Sequence, residues 1–273
     1  MLGAERPTKN SLLTKFGELP MRRGQGKRNI SRGIYILPSI FTSLSLFSGF
    51  YSITAALNGN FIHASWAIII AGLFDAADGR IARLTRSVSK FGEHYDSLVD
   101  MISFGAAPAI LIYLWALQPY GRWGWLATFL YVICVALRLA RFNVQTAAEE
   151  KKYFQGLPSP PSAVMISMTV IFFGSLGITE VVSIVMPLLT CFLALLMVST
   201  VRYHSFKDFD FRKRRPFNVL VSLVLLLIIF LGEPEISVFS GAVIYTLSGP
   251  IEYLFNLRKK KLSNTIVEDS RFS

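Results

Sequence analysis

Long apolar segments constrain the fold of this chain more than any other feature of its sequence. They cover residues 34–57, 61–83, 92–117, 122–141, 161–178, 180–200, 216–232 and 236–257. A helix needs roughly 17–25 apolar residues to cross a bilayer, and backbone groups inside lipid must find their hydrogen bonds within the chain. Because 52% of the 273 residues are also hydrophobic, we predict an all-α polytopic membrane protein with about eight transmembrane helices.

The lysine and arginine residues predict how the chain is oriented. Of these 28 residues, 27 fall in segments 1–33, 80–90, 138–152, 202–215 and 258–273, which the spans place on one side; the other is Arg122. Loops rich in these residues stay in the cytoplasm. Both termini and the 80–90 connector are therefore predicted to be cytoplasmic, in the cell (inner) membrane. These flanks also account for the net charge of +11, and we expect no nucleic-acid partner.

Four aspartates, Asp75, Asp78, Asp96 and Asp100, lie between two of these apolar segments. A carboxylate deep in a bilayer costs roughly 2.5–3.5 kcal/mol, so these side chains need a polar cavity and a compensating cation. On helices, the first two share one face and the last two share one face of the next helix. Two antiparallel helices would point all four carboxylates at one another, in the cytoplasmic third of the bilayer. An all-oxygen cluster suits Mg²⁺, Mn²⁺ or Ca²⁺.

Small and basic residues stand beside the carboxylates. Gly79, Ala82 and Gly92 leave room for a flat or bulky group to approach the backbone. Arg83 and Arg86 follow one turn further on, where they can neutralise phosphate oxygens. Acidic groups that hold metal, small residues that make space and neighbouring arginines together predict a site for a diphosphate.

The whole stretch reads Asp-x2-Asp-Gly-x2-Ala-Arg-x8-Gly-x3-Asp-x3-Asp, from Asp75 to Asp100. An isolated pair of aspartates is more often a solvated helix end, but this pattern fixes eight positions over 26 residues. It resembles the signature of the CDP-alcohol phosphotransferase family and matches it without a departure. The resemblance implies a six-helix domain over residues 34–200. Before it lies a basic N-terminal segment, 1–33; after it come a loop with two additional helices, 201–257, and a basic tail, 258–273.

Two further motifs narrow the resemblance, ARFN at 140–143 and FQGLPSP at 154–160. Together with LP at 37–38 and FT at 41–42, they resemble the membrane-integrated phosphatidylserine synthases within that family. Three positions depart from the usual pattern: Ser39 and Ser45 stand where the relatives usually have Asn, and Pro161 where they usually have Ala. These departures bear on contacts of the first span rather than on the chemistry.

The resemblance implies that CDP-diacylglycerol binds with its diphosphate on two divalent ions, Mg²⁺ or Mn²⁺, with Ca²⁺ as a further candidate. Asp75 and Asp96 would bridge the ions, Asp78 would complete one site and Asp100 the other. Asp100 would also take the proton from the serine hydroxyl as that hydroxyl attacks the phosphorus that carries the lipid. The residues implied to bind CDP-diacylglycerol are Ser39, Gly79, Ala82, Arg83, Ser89 and Gly92. The relatives further imply a homodimer.

We expect Arg138, Arg141 and Asn143 to bind the carboxylate of serine, because an arginine fork matches that group. Three alternatives remain open at this point. Another member of the same family would use glycerol 3-phosphate, inositol phosphate or choline as acceptor. A divalent-cation transporter would also place carboxylates in the membrane, although transport needs a second set toward the far side. A membrane scaffold without catalysis is the third.

Overall fold

The computed structural model describes residues 33–85, 89–145, 153–177, 180–204 and 232–272. Its helices in these ranges are α1 (Gly33–Leu57), α2 (Phe61–Thr85), α3 (Lys90–Asp100), α4 (Ala107–Ile112), α5 (Arg122–Gln145), α6 (Ser159–Leu176), α7 (Glu180–Val198) and α8 (Pro234–Phe272). Two short strands, β1 (Tyr153–Gln155) and β2 (Arg202–His204), complete the described elements. The predicted fold class, an all-α polytopic membrane protein, is confirmed.

Five of the described helical segments are long and apolar enough to cross a membrane. They are Pro38–Leu57, Phe61–Thr85, Lys90–Tyr120, Arg122–Val144 and Ser159–Leu176. Each corresponds to one of the first five predicted spans. The sixth predicted span corresponds to α7, whose apolar part, Val185–Val198, is shorter.

The C-terminal part of the chain is described only from residue 232. The seventh predicted span, 216–232, lies almost wholly outside the described residues, as does the predicted N-terminal segment. The eighth predicted span falls within α8, which begins at Pro234 and continues through the predicted basic tail as far as Phe272. Within the described residues, no break in helix separates that apolar segment from the basic one.

The third span departs from regular α-helix in two places. The π-helical segments Met101–Ala106 and Tyr113–Leu117 flank α4, and a 3₁₀ turn, Gln118–Tyr120, closes the span. A π turn inserts an extra residue and so rotates everything on one side of it relative to the other, often at functional sites. The first such segment begins directly after Asp100, so this carboxylate is the last side chain set by the regular turn of α3.

Small and polar residues hold α1, α2 and the third span together. Ser45 on α1 donates a hydrogen bond of 3.1 Å to the carbonyl of Ala71 on α2, and Ser103 donates one of 3.1 Å to the carbonyl of Ser45. Gly49 lies so close to Ser103 that a Cβ on it would stand 2.5 Å from the Ser103 Oγ. Such residues let membrane helices approach closely where the hydrophobic effect offers no drive to association. Through α1, these contacts tie α2 to the third span.

A short antiparallel ribbon, which the sequence reading did not predict, links the loop before α6 to the segment after α7. Its register pairs Tyr153 with His204, Phe154 with Tyr203 and Gln155 with Arg202. Two further backbone hydrogen bonds continue the contact, from the Gly156 N–H to the Val201 carbonyl at 2.8 Å and from the Leu157 N–H to the Leu196 carbonyl at 3.1 Å. The ribbon fixes the point at which α6 begins.

Candidate functional site

Three aspartates meet where α2 and α3 face each other. One carboxylate oxygen from each of Asp75, Asp78 and Asp96 lies within 4.8 Å of the other two. Asp78 is buried, at 5% exposure, and the other two are half-buried. Three carboxylates this close repel one another unless a cation lies between them. The arrangement therefore has the donor chemistry that hard divalent cations prefer.

Asp100 stands next to this cluster rather than inside the same group of three. Its carboxyl group lies within hydrogen-bonding range of the Asp75 carboxyl. Asp100 Oδ1 and Asp78 Oδ2 are both buried and have no hydrogen-bond partner in the described part of the chain. A buried acceptor without a partner is costly and needs an explanation. A bound cation would satisfy both oxygens, so these residues fit the divalent metal that the sequence implies.

Two side chains on neighbouring helices support the cluster, and sequence reasoning assigned neither contact. The Thr42 hydroxyl on α1 donates a hydrogen bond of 3.1 Å to the Pro38 carbonyl and lies near the Asp78 carboxylate. On α5, the Arg138 guanidinium lies within electrostatic range of Asp75 and Asp100. A threonine after a phenylalanine in the first span was visible as part of a motif, but its partner on α2 was not.

The small residues predicted to admit the nucleotide border the cluster. A Cβ placed on Gly79 would meet nothing within 4 Å, and Ala82 is half-buried one turn further along α2. On the opposite helix, the Ser89 Oγ caps α3 by accepting a hydrogen bond of 3.0 Å from the Gly92 N–H. This capping uses an acceptor lone pair of the hydroxyl, and its proton stays available to a phosphate.

The other residues predicted for CDP-diacylglycerol lie at the same end of these helices. Arg83 is exposed in the last turn of α2, and Arg86 lies outside the described residues. Ser39 is half-buried, and its carbonyl accepts a hydrogen bond of 2.8 Å from the Ser43 hydroxyl. Ser43 in turn pairs with the Tyr95 hydroxyl at 2.9 Å. This pair joins the start of α1 to α3, so Ser39 lies beside the carboxylate helices.

The three predicted acceptor residues on α5 have different surroundings. Arg138 donates a hydrogen bond of 2.6 Å to the Ser159 hydroxyl at the start of α6. Asn143 accepts a hydrogen bond of 3.1 Å from the Ser97 hydroxyl on α3. Arg141, which lies between Arg138 and Asn143 in the sequence, is half-buried. Arg138 also lies within electrostatic range of two of the carboxylates, Asp75 and Asp100. Ser159 was missed, although it lies inside the FQGLPSP motif.

Comparison with known proteins gives the family. The sequence model of the CDP-alcohol phosphatidyltransferase family matches residues 35–198. A CDP-diacylglycerol–serine O-phosphatidyltransferase of Helicobacter pylori is 36% identical over 230 residues, 83% of this chain and 94% of the relative. An archaetidylserine synthase of Methanothermobacter thermautotrophicus is 44% identical over 133 residues, 48% of this chain and 56% of the relative.

A Saccharomyces cerevisiae CDP-diacylglycerol–serine O-phosphatidyltransferase is 36% identical over 153 residues, 51% of this chain and 53% of the relative. The family match covers all four aspartates and the residues around them, from the start of the first span to the end of α7. The chain belongs to the CDP-alcohol phosphatidyltransferase family.

Proposed function

We propose that the protein transfers the phosphatidyl group of CDP-diacylglycerol to L-serine, releasing CMP and producing phosphatidylserine for phospholipid biosynthesis. The observation that carries this proposal is the carboxylate cluster, which brings Asp75, Asp78 and Asp96 together beside Asp100. The relative named for this reaction matches over 83% of the chain. Family, site chemistry and the name of the relative therefore support one reaction.

The four aspartates are the residues that would hold divalent metal, two ions of Mg²⁺ or Mn²⁺, with Ca²⁺ as a further candidate. When bound, such ions polarise the phosphorus and stabilise the departing CMP. Asp75 and Asp96 come from different helices within 4.8 Å, which suits a bridging role. Asp78, with Thr42 on one side, and Asp100 would each complete one site.

Chain residues around the cluster orient CDP-diacylglycerol. Gly79, Ala82 and Gly92 leave space for the cytidine, while Arg83 and the proton of the Ser89 hydroxyl meet phosphate oxygens. Ser39 lies at the same end of the helices, and we assign it to the binding of CDP-diacylglycerol as well. A carboxylate site in the cytoplasmic third of the bilayer suits a substrate with a lipid tail and a soluble nucleotide.

Asp100 is the proposed general base. The serine hydroxyl oxygen forms a bond to the lipid-bearing phosphorus, the bond from that phosphorus to the oxygen of CMP breaks, and the hydroxyl proton passes to the Asp100 carboxylate. Its buried Oδ1 has no hydrogen-bond partner in the described residues, so an acceptor lone pair is available for that proton. A carboxylate is a weak base, and its contribution lies in position and late proton acceptance.

The described helices make this a multi-pass membrane protein. We place it in the cell (inner) membrane with both termini and the site on the cytoplasmic side, on the distribution of lysine and arginine. The same side supplies soluble serine and accepts CMP. A homodimer completes the proposed assembly.

The test is CMP release by the purified full-length protein in detergent, with CDP-diacylglycerol and Mn²⁺ or Mg²⁺. Acceptors are compared one at a time: L-serine, glycerol 3-phosphate, inositol phosphate and choline. We expect release that depends on serine, and its loss in Asp100→Asn. Glu93→Gln, which removes an exposed carboxylate from the same helix, serves as the matched control. Release with another acceptor and not with serine would keep the site and refute the proposed reaction.

A further inference from the structure

The third span changes its helical form directly after the proposed base. Asp100 is the last residue of α3, and the π segment Met101–Ala106 begins with the next residue. A π turn holds one extra residue, so it sets the rotation between the residues before it and those after it. The direction of the Asp100 side chain relative to the rest of the span therefore depends on what holds this segment in place.

A proline removes the regular hydrogen-bond donor to this segment. In an α-helix the carbonyl of Phe104 would accept from the N–H of residue 108, but Pro108 has no N–H. Phe104 is fully buried, and a buried carbonyl needs a donor. The hydroxyl of Tyr131 on α5 donates to it at 3.1 Å. Tyr131 thus gives the segment a bond that its backbone cannot make in regular α-helical form.

Tyr131 is a firmly held donor. Its side chain is fully buried, at 0% exposure, and belongs to the hydrophobic core. One turn further along α5, a Cβ placed on Gly105 would stand 3.3 Å from the Val135 Cγ1, so helix and π segment are closely packed at this point. A hydrogen bond inside such a core is stronger than one in water.

A second hydrogen bond holds the same segment from α1. The fully buried Ser103 hydroxyl donates to the carbonyl of Ser45 at 3.1 Å. Ser45 in turn donates to the carbonyl of Ala71 at 3.1 Å, and Ala71 lies one turn before Asp75 on α2. These bonds link the residues that follow Asp100 to the turn that precedes Asp75.

We propose that Tyr131 and Ser103 are positioning residues for the general base: by holding the π segment to α5 and to α1, they set the direction in which the Asp100 carboxylate points. The inference rests on the proposed function and deepens it. Each hydroxyl acts through the backbone of the segment after Asp100 and not through contact with a substrate. A displacement of about 1 Å in a catalytic group lowers a rate by on the order of 100-fold, so the loss of one of these bonds should be visible in kcat.

The test compares Tyr131→Phe with Tyr203→Phe in the CMP-release assay of the full-length protein. Both tyrosines are fully buried, and each donates one hydrogen bond to a helix carbonyl, at 3.1 Å and 3.0 Å. Tyr203 is the matched control because its acceptor, the Thr246 carbonyl, lies on α8. Both variants should lower the melting temperature.

Only Tyr131→Phe should affect the chemical step. We expect its kcat to fall about tenfold or more, with the KM for serine and the KM for CDP-diacylglycerol within about twofold of the unchanged protein. The kcat of Tyr203→Phe should stay within about twofold of the unchanged protein. Equal kcat values for the two variants would overturn the inference.

A second pair of variants tests the contact with α1. Ser103→Ala should lower kcat, whereas Ser65→Ala should not, although Ser65 is also fully buried and donates a hydrogen bond of 2.9 Å to a helix carbonyl. Melting curves in the presence of Mn²⁺ show which variants are folded. If Tyr131→Phe does not fold, the serine pair decides, and equal kcat values for Ser103→Ala and Ser65→Ala overturn the inference.

A double variant shows whether the effect of Tyr131 passes through Asp100. In Asp100→Asn the base is already lost, so adding Tyr131→Phe should lower the residual CMP release by less than about twofold, because residues that act as one unit are not additive. The residual release is followed with radiolabelled CDP-diacylglycerol. If Tyr131→Phe lowers release by the same factor in both backgrounds, Tyr131 does not act through Asp100 and the inference is overturned.

The inference and the proposed function fail in different ways. If the unchanged protein releases CMP with another acceptor and not with serine, the proposed reaction is wrong, and the same variants are compared with that acceptor. If release depends on serine but Tyr131→Phe and Tyr203→Phe have equal kcat values, the inference alone is wrong.

Discussion

The carboxylate cluster predicts that one substitution has opposite effects on stability with and without metal. Asp78→Asn keeps the shape of the side chain and removes its negative charge. The three clustered oxygens lie within 4.8 Å of one another. At an effective dielectric constant of about 20, each ionised pair at that distance repels by about 3.5 kcal/mol. Asp78 takes part in two of the three pairs, so its neutralisation relieves most of this repulsion.

The effect of Asp78→Asn on stability reverses when metal is bound, because the charge that destabilises the cluster without metal then holds a cation. Ligand at 100 times its Kd stabilises a folded protein by about 2.7 kcal/mol. For a domain of 150–250 residues, that corresponds to a rise in apparent melting temperature of about 5–10 °C. We expect this rise in the unchanged protein with Mn²⁺ or Mg²⁺, and a much smaller one in Asp78→Asn.

The assay is thermal unfolding in detergent at pH 8, followed by tryptophan fluorescence, with EDTA or with metal. In EDTA the variant should melt above the unchanged protein, and with metal below it. Glu93→Gln, at an exposed position of α3, should behave like the unchanged protein in both. If Asp78→Asn melts lower in EDTA as well, the carboxylate stabilises the fold without a cation and the reasoning is wrong.

Three other predictions use the same melting and CMP-release assays. Asp100→Asn should lower CMP release by at least about 100-fold. It should keep more than half of the metal-induced rise in melting temperature, because the three-oxygen cluster does not include it; loss of the whole rise would contradict this. Gly49→Ala should lower the free energy of unfolding by about 1–3 kcal/mol through overpacking. Gly174→Ala, with nothing within 4 Å of its Cβ, should lower it far less, and equal losses would exclude the close contact at Gly49. Gly156 has φ of +82°, and a Cβ on it would collide with a carbonyl of α7, whereas Gly177 has φ of +67° and open space. Gly156→Ala should therefore lower the melting temperature more than Gly177→Ala.

Much of the fold was readable from the sequence because a bilayer imposes local rules. Apolar length predicted the first five spans to within a few residues at most ends. The site was readable for a related reason: aspartates at intervals of three or four residues must share a helix face, whatever that helix packs against. Asp75 and Asp78 could therefore be assigned to one helix face, and Asp96 and Asp100 to a face of the next helix, before any contact was known.

The tertiary structure decided what periodicity cannot express. It set Asp100 beside the three-oxygen cluster, at the point where α3 gives way to a π segment, and it placed Thr42 of α1 near Asp78. It also paired two three-residue strands that carry no recognisable pattern on their own. These features depend on which helices meet and at what rotation, and that is set by close packing of residues far apart in the chain.

The acceptor side shows the same division most clearly. The sequence by itself determined that arginines stand at the end of the fourth predicted span and that a glycine–proline loop follows. Only the tertiary structure decided that Arg138 binds Ser159 at the start of α6 and lies within electrostatic range of Asp75 and Asp100. A local pattern fixes which face of a helix a side chain occupies, whereas its partners follow from non-local packing, which no single segment encodes.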